Sequence, residues 1–231
     1  MEVPGIENIK EQSKILFKNC FKTLKLTKEP EEICGQLRGI GAFNGYLSRG
    51  QLEKVYTYQN AEHQLIKEGL IDALRGIQTR KAIKILANFS NDKSKVVRHE
   101  AVSVLVNITT KSKGLIREFL WKRIDDTELE IDELAIWGLA KLKDLRIREI
   151  IKRKLVEKGP TDYLVYAIFF LGEMELLTLI KKGDIIKRTN KRVDYAWIKR
   201  LIRNELSSPT GASLLASVVV PNSYASQLQK H

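Results

Sequence analysis

The residues of this chain that could do chemistry are few and scattered. His63, His99 and His231 share no ligand spacing with one another or with Cys20 and Cys34, so neither a metal nor a cofactor is expected. The two cysteines fall at apolar positions of helical patterns and form no C-x-x-C pair, which points to reduced, buried thiols. Gly35, Gly39, Gly41 and Gly45 make no phosphate loop, because no Gly-Lys-Ser/Thr follows and no strand pattern precedes them. Glycines four apart on a helix let neighbouring backbones approach closely. A broken helix with a loop is the alternative, since each internal glycine costs about 0.5–1 kcal/mol. No Gly-x-Ser-x-Gly elbow or kinase signature is present.

The charged residues say more. Asp125, Asp126, Glu128, Glu130, Asp132 and Glu133 have the types of a paired-carboxylate site. They surround an inter-helix turn and a helix start, where carboxylates complement the positive end of the helix dipole. That structural role is the expected one, with an acidic docking spot as the alternative. The net charge is +12, and between Lys141 and Arg203 there are 17 Lys/Arg against 8 Asp/Glu. The cations form three groups: Arg146, Arg148, Lys152 and Arg153; Lys181, Lys182, Lys187 and Arg188; and Lys191, Arg192, Lys199, Arg200 and Arg203. Such a surplus favours an acidic partner: nucleic acid, anionic lipid or an acidic protein face. Tyr195 and Trp197 lie in the last group, and aromatics among cations can stack on exposed bases.

The elements that position these residues repeat. Val97, Ala101, Leu105 and Ile108 fall on one helix face, and Ile131, Ala135, Leu139 and Leu142 reproduce the spacing 34 residues later. Ala82, Ile85 and Leu86 match Ile116, Phe119 and Leu120 at the same interval, and Asp92 matches Asp126. Ile147, Ile150 and Ile151 start another pair, which Lys158-Gly159-Pro160-Thr161 divides from Tyr163, Ala167 and Leu171. Leu176, Leu179 and Ile180, then Val193, Trp197 and Leu201, give a weaker copy, and Leu65, Gly69 and Ala73 an eroded earlier one. Each helix pair buries only part of its apolar face, and stacking on neighbours covers the rest.

The stretch from Asn91 to Leu105 resembles a HEAT repeat: Asp92, Val97, Arg98, Ala101 and Leu105 fill the family's turn aspartate, Val-Arg pair, alanine and leucine. The resemblance implies a short HEAT-like solenoid, an all-α, right-handed α-α superhelix. It also implies that Asp92 and Arg98 hydrogen-bond along the stack. The next repeat keeps Asp126 but has Asp132 in the arginine slot, and the last has Trp197 in the alanine slot. The expected divisions are an N-terminal helical region over 1–78, helix-pair repeats over 79–206, and a cap or partner-binding tail over 207–231. On such a stack the cation groups either merge into a basic strip or scatter round the helices as solubilising charge.

Residues 5–27 read as one amphipathic helix, with Ile6, Ile9, Leu16, Cys20 and Leu24 on its apolar side and Lys10, Lys14, Lys18 and Lys22 on another. The longest uncharged stretch, 207–229, is broken by Pro209 and Pro221, so no membrane span is expected. With no secretory signal pattern at Met1–Gly5, cytoplasmic residence is the expectation. The chain thus reads as a non-enzymatic binding or scaffold protein with a protein or nucleic-acid partner. The alternative is a DNA-binding enzyme resembling the HEAT-like alkylpurine DNA glycosylases, whose active face sets tryptophan or tyrosine beside a carboxylate. Trp121, Trp137, Trp197, Asp125 and Asp132 are the residues of those types.

Overall fold

The structure, a computed structural model, describes residues 6–42, 47–108 and 112–173, with side chains from residue 15 onward. These residues are all-helical, with no strand among them. The helices are α1 (Ile6–Leu24), α2 (Pro30–Ala42), α3 (Arg49–Tyr56), α4 (Gln64–Leu74), α5 (Arg80–Phe89), α6 (Lys95–Asn107), α7 (Lys113–Trp121), α8 (Leu129–Lys141), α9 (Arg148–Lys158) and α10 (Asp162–Leu171). Single 3-10 turns follow α3 (Thr57–Asn60) and precede α9 (Leu145–Ile147). No described helix is long and apolar enough to cross a membrane.

Local signals set these boundaries. Ser48 and Gln51 form a reciprocal capping box at the start of α3. The Thr79 and Thr161 hydroxyls accept from the Ala82 and Leu164 N–H groups and so cap α5 and α10. Gly159 (φ 81°) and Gly172 (φ 77°) end α9 and α10 in conformations that suit glycine. The expected stop-and-start at Lys158–Thr161 is therefore present.

The chain divides into two compact units, with the boundary between Ile131 and Asp132 inside α8. In the first, α2, α4 and α6 form a continuous layer. The layer is flanked by α1 on α2, by α5 on α4 and α6, and by α7 on α6. Leu37, Ile40, Leu70, Leu74, Ile83, Leu86, Val97, Ala101 and Leu105 are buried in this unit. The repeat positions Ala82, Ile85, Leu86, Ile116 and Leu120 are buried too, and Phe119 is half-buried. In the second unit α8, α9 and α10 bury Ala135, Leu139, Ile151, Leu155, Leu164, Ala167 and Ile168.

Two of the sequence expectations are sharpened. Gly41 and Gly69 are sites of close approach: a Cβ on Gly41 would lie 2.5 Å from the Asp72 carbonyl oxygen, and one on Gly69 would lie 2.8 Å from the Cys34 Cα. The glycines let α2 and α4 pack backbone to backbone. Gly35, by contrast, has nothing near its missing side chain. In α1, Leu16 does not belong to the inward face, since it is 56% exposed. Phe17 and Leu24 are buried instead, and the Phe17 and Phe21 rings meet edge-on at 5.2 Å. The face is rotated by one residue because two phenylalanines bury more apolar area than one leucine.

Candidate interaction surface

The polar residues of the repeat hold its turns. Asp92, between α5 and α6, accepts the Ser94 N–H at 2.8 Å on one carboxylate oxygen and Lys67 Nζ of α4 at 2.6 Å on the other. Asp126, between α7 and α8, repeats the arrangement: it accepts the Glu128 N–H at 3.1 Å and Arg98 of α6 at 3.2 Å. Arg123 adds a contact to Asp126 at 3.3 Å and donates to the Ser90 carbonyl at 3.0 Å. Arg98 also donates to the Asp92 and Lys93 carbonyls. The expected Asp92–Arg98 contact thus goes through the Asp92 backbone, while the Asp92 carboxylate takes Lys67, a residue the repeat pattern does not mark. Burial alone would raise the Asp92 carboxyl, but Lys67 and the Ser94 N–H outweigh it and hold the group below its ordinary value.

In the second unit the polarity reverses. Asp132 stands where the preceding repeat has Arg98, and it is 1% exposed. It accepts Lys154 Nζ of α9 at 2.5 Å, with Lys158 Nζ at 3.9 Å. Its neighbour Glu133, 3% exposed, accepts the hydroxyl of the turn residue Thr161 at 2.5 Å. The helix now supplies the acid and the turn supplies the donor. Burial lifts the Glu133 carboxyl above its ordinary value, against the opposing pull of the Thr161 hydrogen bond. Among the acidic residues flagged by spacing, Asp126, Asp132 and Glu133 are therefore tie points, and Glu130 faces His99 Nε2 at 3.5 Å.

Cations and carboxylates also alternate along α2, α4 and α6. Arg38 contacts Asp72 at 3.0 Å and Glu68 at 3.6 Å, and Arg75 spans Asp72 at 3.0 Å and Glu100 at 3.4 Å. These partly exposed pairs each contribute little to stability.

The first of the basic groups is compensated locally. Arg146 sits on Asp144 at 2.6 Å, Arg148 on Glu173 at 3.0 Å, Lys152 on Glu149 at 2.8 Å, and Arg153 lies 4.0 Å from Glu157. Lys181, Lys182, Lys187, Arg188, Lys191, Arg192, Lys199, Arg200 and Arg203 lie outside the described residues, as do Tyr195, Trp197 and the 207–231 tail. Between residues 174 and 203 there are nine Lys/Arg against three Asp/Glu, so most of the surplus belongs to that stretch.

A second feature of α8 was visible in the sequence only as repeat packing. Trp137 gathers Tyr163, Tyr166 and Phe170 of α10 around its ring at centroid distances of 5.7, 6.1 and 6.4 Å. Lys141 Nζ lies over the same indole at 4.7 Å. Of the carboxylates considered beside tryptophan, Asp125 is exposed in a turn (φ 68°), and Asp132 is engaged by Lys154. Glu133 is the carboxylate on the same helix as Trp137, one turn away. Among the described residues no group of three His, Cys, Asp or Glu could hold a metal ion.

A scan against protein-family models matches none, and a search of curated proteins finds no match.

Proposed function

We propose that this chain is a non-enzymatic binding protein, a short right-handed HEAT-like superhelix that offers a basic surface to a nucleic acid or an acidic protein face. The observation that carries the reading is the paired role of Asp92 and Asp126. Thirty-four residues apart, each closes its own turn through the N–H two residues on and takes a cation from the preceding second helix. That is the geometry of a repeat whose polar residues fasten neighbours together, which leaves the outer faces of the helices for a partner. The excess of Lys/Arg between 174 and 203 supports an acidic partner.

The test is affinity of the full chain for duplex DNA, single-stranded DNA, RNA and an acidic polypeptide as salt is varied. Binding that weakens log-linearly with salt is expected, and the slope counts the phosphates contacted. Lys187→Ala/Arg188→Ala and Lys199→Ala/Arg200→Ala should lower both affinity and slope. The reading fails if the chain binds none of these polyanions at low salt. Release of damaged bases from alkylated DNA under turnover conditions would replace it with the glycosylase reading.

A further inference from the structure

Two buried polar atoms of α8, Glu133 Oε1 and Trp137 Nε1, have no hydrogen-bond partner. One accepts and the other donates, and they lie one helical turn apart on α8. An unpaired buried polar group is strongly disfavoured, and two of opposite sense on one helix face call for a ligand that answers both. Tyr163 and Tyr166 of α10 stand against the Trp137 ring, and all three are partly exposed.

We infer that the Glu133–Trp137 face of α8, walled by Tyr163 and Tyr166 of α10, is a recognition site for an unpaired base of single-stranded nucleic acid. This rests on the proposed function and names the partner within it. The surroundings select the class. Lys141 lies over the indole, and Lys158 stands partly exposed beside Asp132, whose charge the buried Lys154 already balances. This local positive charge disfavours a cationic guest, which aromatic walls and a carboxylate would otherwise suit. A peptide group offers a donor and an acceptor but no ring to set against aromatic side chains. A nucleobase offers both, on an edge open only in single strands, and its phosphates suit the nearby lysines. A carboxylate accepts from an exocyclic amino group, so cytosine and adenine, each with an amino donor beside a ring-nitrogen acceptor for the indole N–H, fit better than thymine.

The test measures binding of the full chain to labelled dC, dA and dT homopolymers of equal length and to an abasic strand of the same charge, for wild type, Glu133→Gln and Trp137→Phe. Wild type should prefer dC and dA to dT and to the abasic strand. Trp137→Phe, which keeps a ring but removes the N–H, should weaken dC binding by about tenfold with the salt slope unchanged. Glu133→Gln should erase the preference, because a carboxamide both donates and accepts. Circular dichroism establishes that each variant is folded. Equal, salt-sensitive binding of every strand, the abasic one included, overturns this inference and leaves the basic-surface reading standing. So do variants that shift only the melting temperature, which would mean that ordered water answers the two atoms. Absence of binding to any nucleic acid overturns this inference, and retained affinity for the acidic polypeptide would then preserve the broader reading.

Discussion

Asp132→Ala removes one member of the most deeply buried ion pair among the described residues of the second unit and takes away the carboxylate to which the Lys154 ammonium donates. The two residues are 1% and 3% exposed and meet at 2.5 Å. Breaking such a pair from one side costs about 3–5 kcal/mol, because the surviving charge stays buried after losing its direct hydrogen-bonded counter-charge. Lys158, 3.9 Å from Asp132 and more exposed, cannot replace the lost acid, since it carries the same sign as Lys154. At about 2–4 °C per kcal/mol for a chain of this size, the melting temperature should fall by roughly 6–20 °C. Lys154→Met alone should also destabilise, but by less, because Lys158 at 3.9 Å still faces Asp132. The double variant Asp132→Leu/Lys154→Met should return to within about 1–2 kcal/mol of wild type, or exceed it, because apolar replacement of both partners removes the desolvation penalty along with the attraction. Urea unfolding followed by circular dichroism, with the m-value held constant, gives all three numbers. Additive losses in the double variant, or single losses under about 1 kcal/mol, would refute the assignment of this contact as a buried, charge-balanced tie.

Two further predictions use the same measurement. Gly69→Ala and Gly41→Ala should each destabilise by about 1–3 kcal/mol, because their Cβ atoms meet backbone that cannot yield; Gly35→Ala, in open space on the same helix as Gly41, should gain about 0.5–1 kcal/mol. Equal effects at the three sites would show that close approach is not what the first two glycines provide. Glu133→Gln should change little at low pH and should stabilise relative to wild type as pH rises. The folded carboxyl binds its proton more tightly than the unfolded one, so its favourable contribution is full below the ordinary value of 4.5 and is lost above it. A stability difference between Glu133→Gln and wild type that is flat across pH 4–8 would contradict this.

The repeat was legible because its signal is periodic and mostly apolar. Val97, Ala101 and Leu105 are fully inward as their spacing requires, and so are Ile131, Ala135 and Leu139. Asp92 and Asp126 were legible as turn residues because turn chemistry is local. Their cations were only half so. Arg98 lies six residues from Asp92 and belongs to the motif, but Lys67 comes from 25 residues upstream and looks like any surface lysine. The face of α1 was misplaced at Leu16 because a face read from a few positions leaves the helix free to rotate by a residue. The Glu133–Trp137 pair was out of reach for another reason. A glutamate at a helix start and a tryptophan among leucines both have ordinary explanations, and only burial without partners sets them apart.

The reversal at Asp132 connects these findings. In the first unit each tie sets a long, flexible cation on a helix against a short acid in a turn, and the cation can extend to whatever position satisfies the acid. Exchanging the roles fixes the acid on α8, and the hydroxyl of Thr161, with its single hydrogen, can donate to only one carboxylate oxygen of Glu133. One oxygen is therefore left over. A repeat optimised only for stacking has no use for a buried, half-satisfied carboxylate, which destabilises the fold at neutral pH. Stability given up at one position, beside an aromatic cluster, is what a binding site built into a structural repeat should look like.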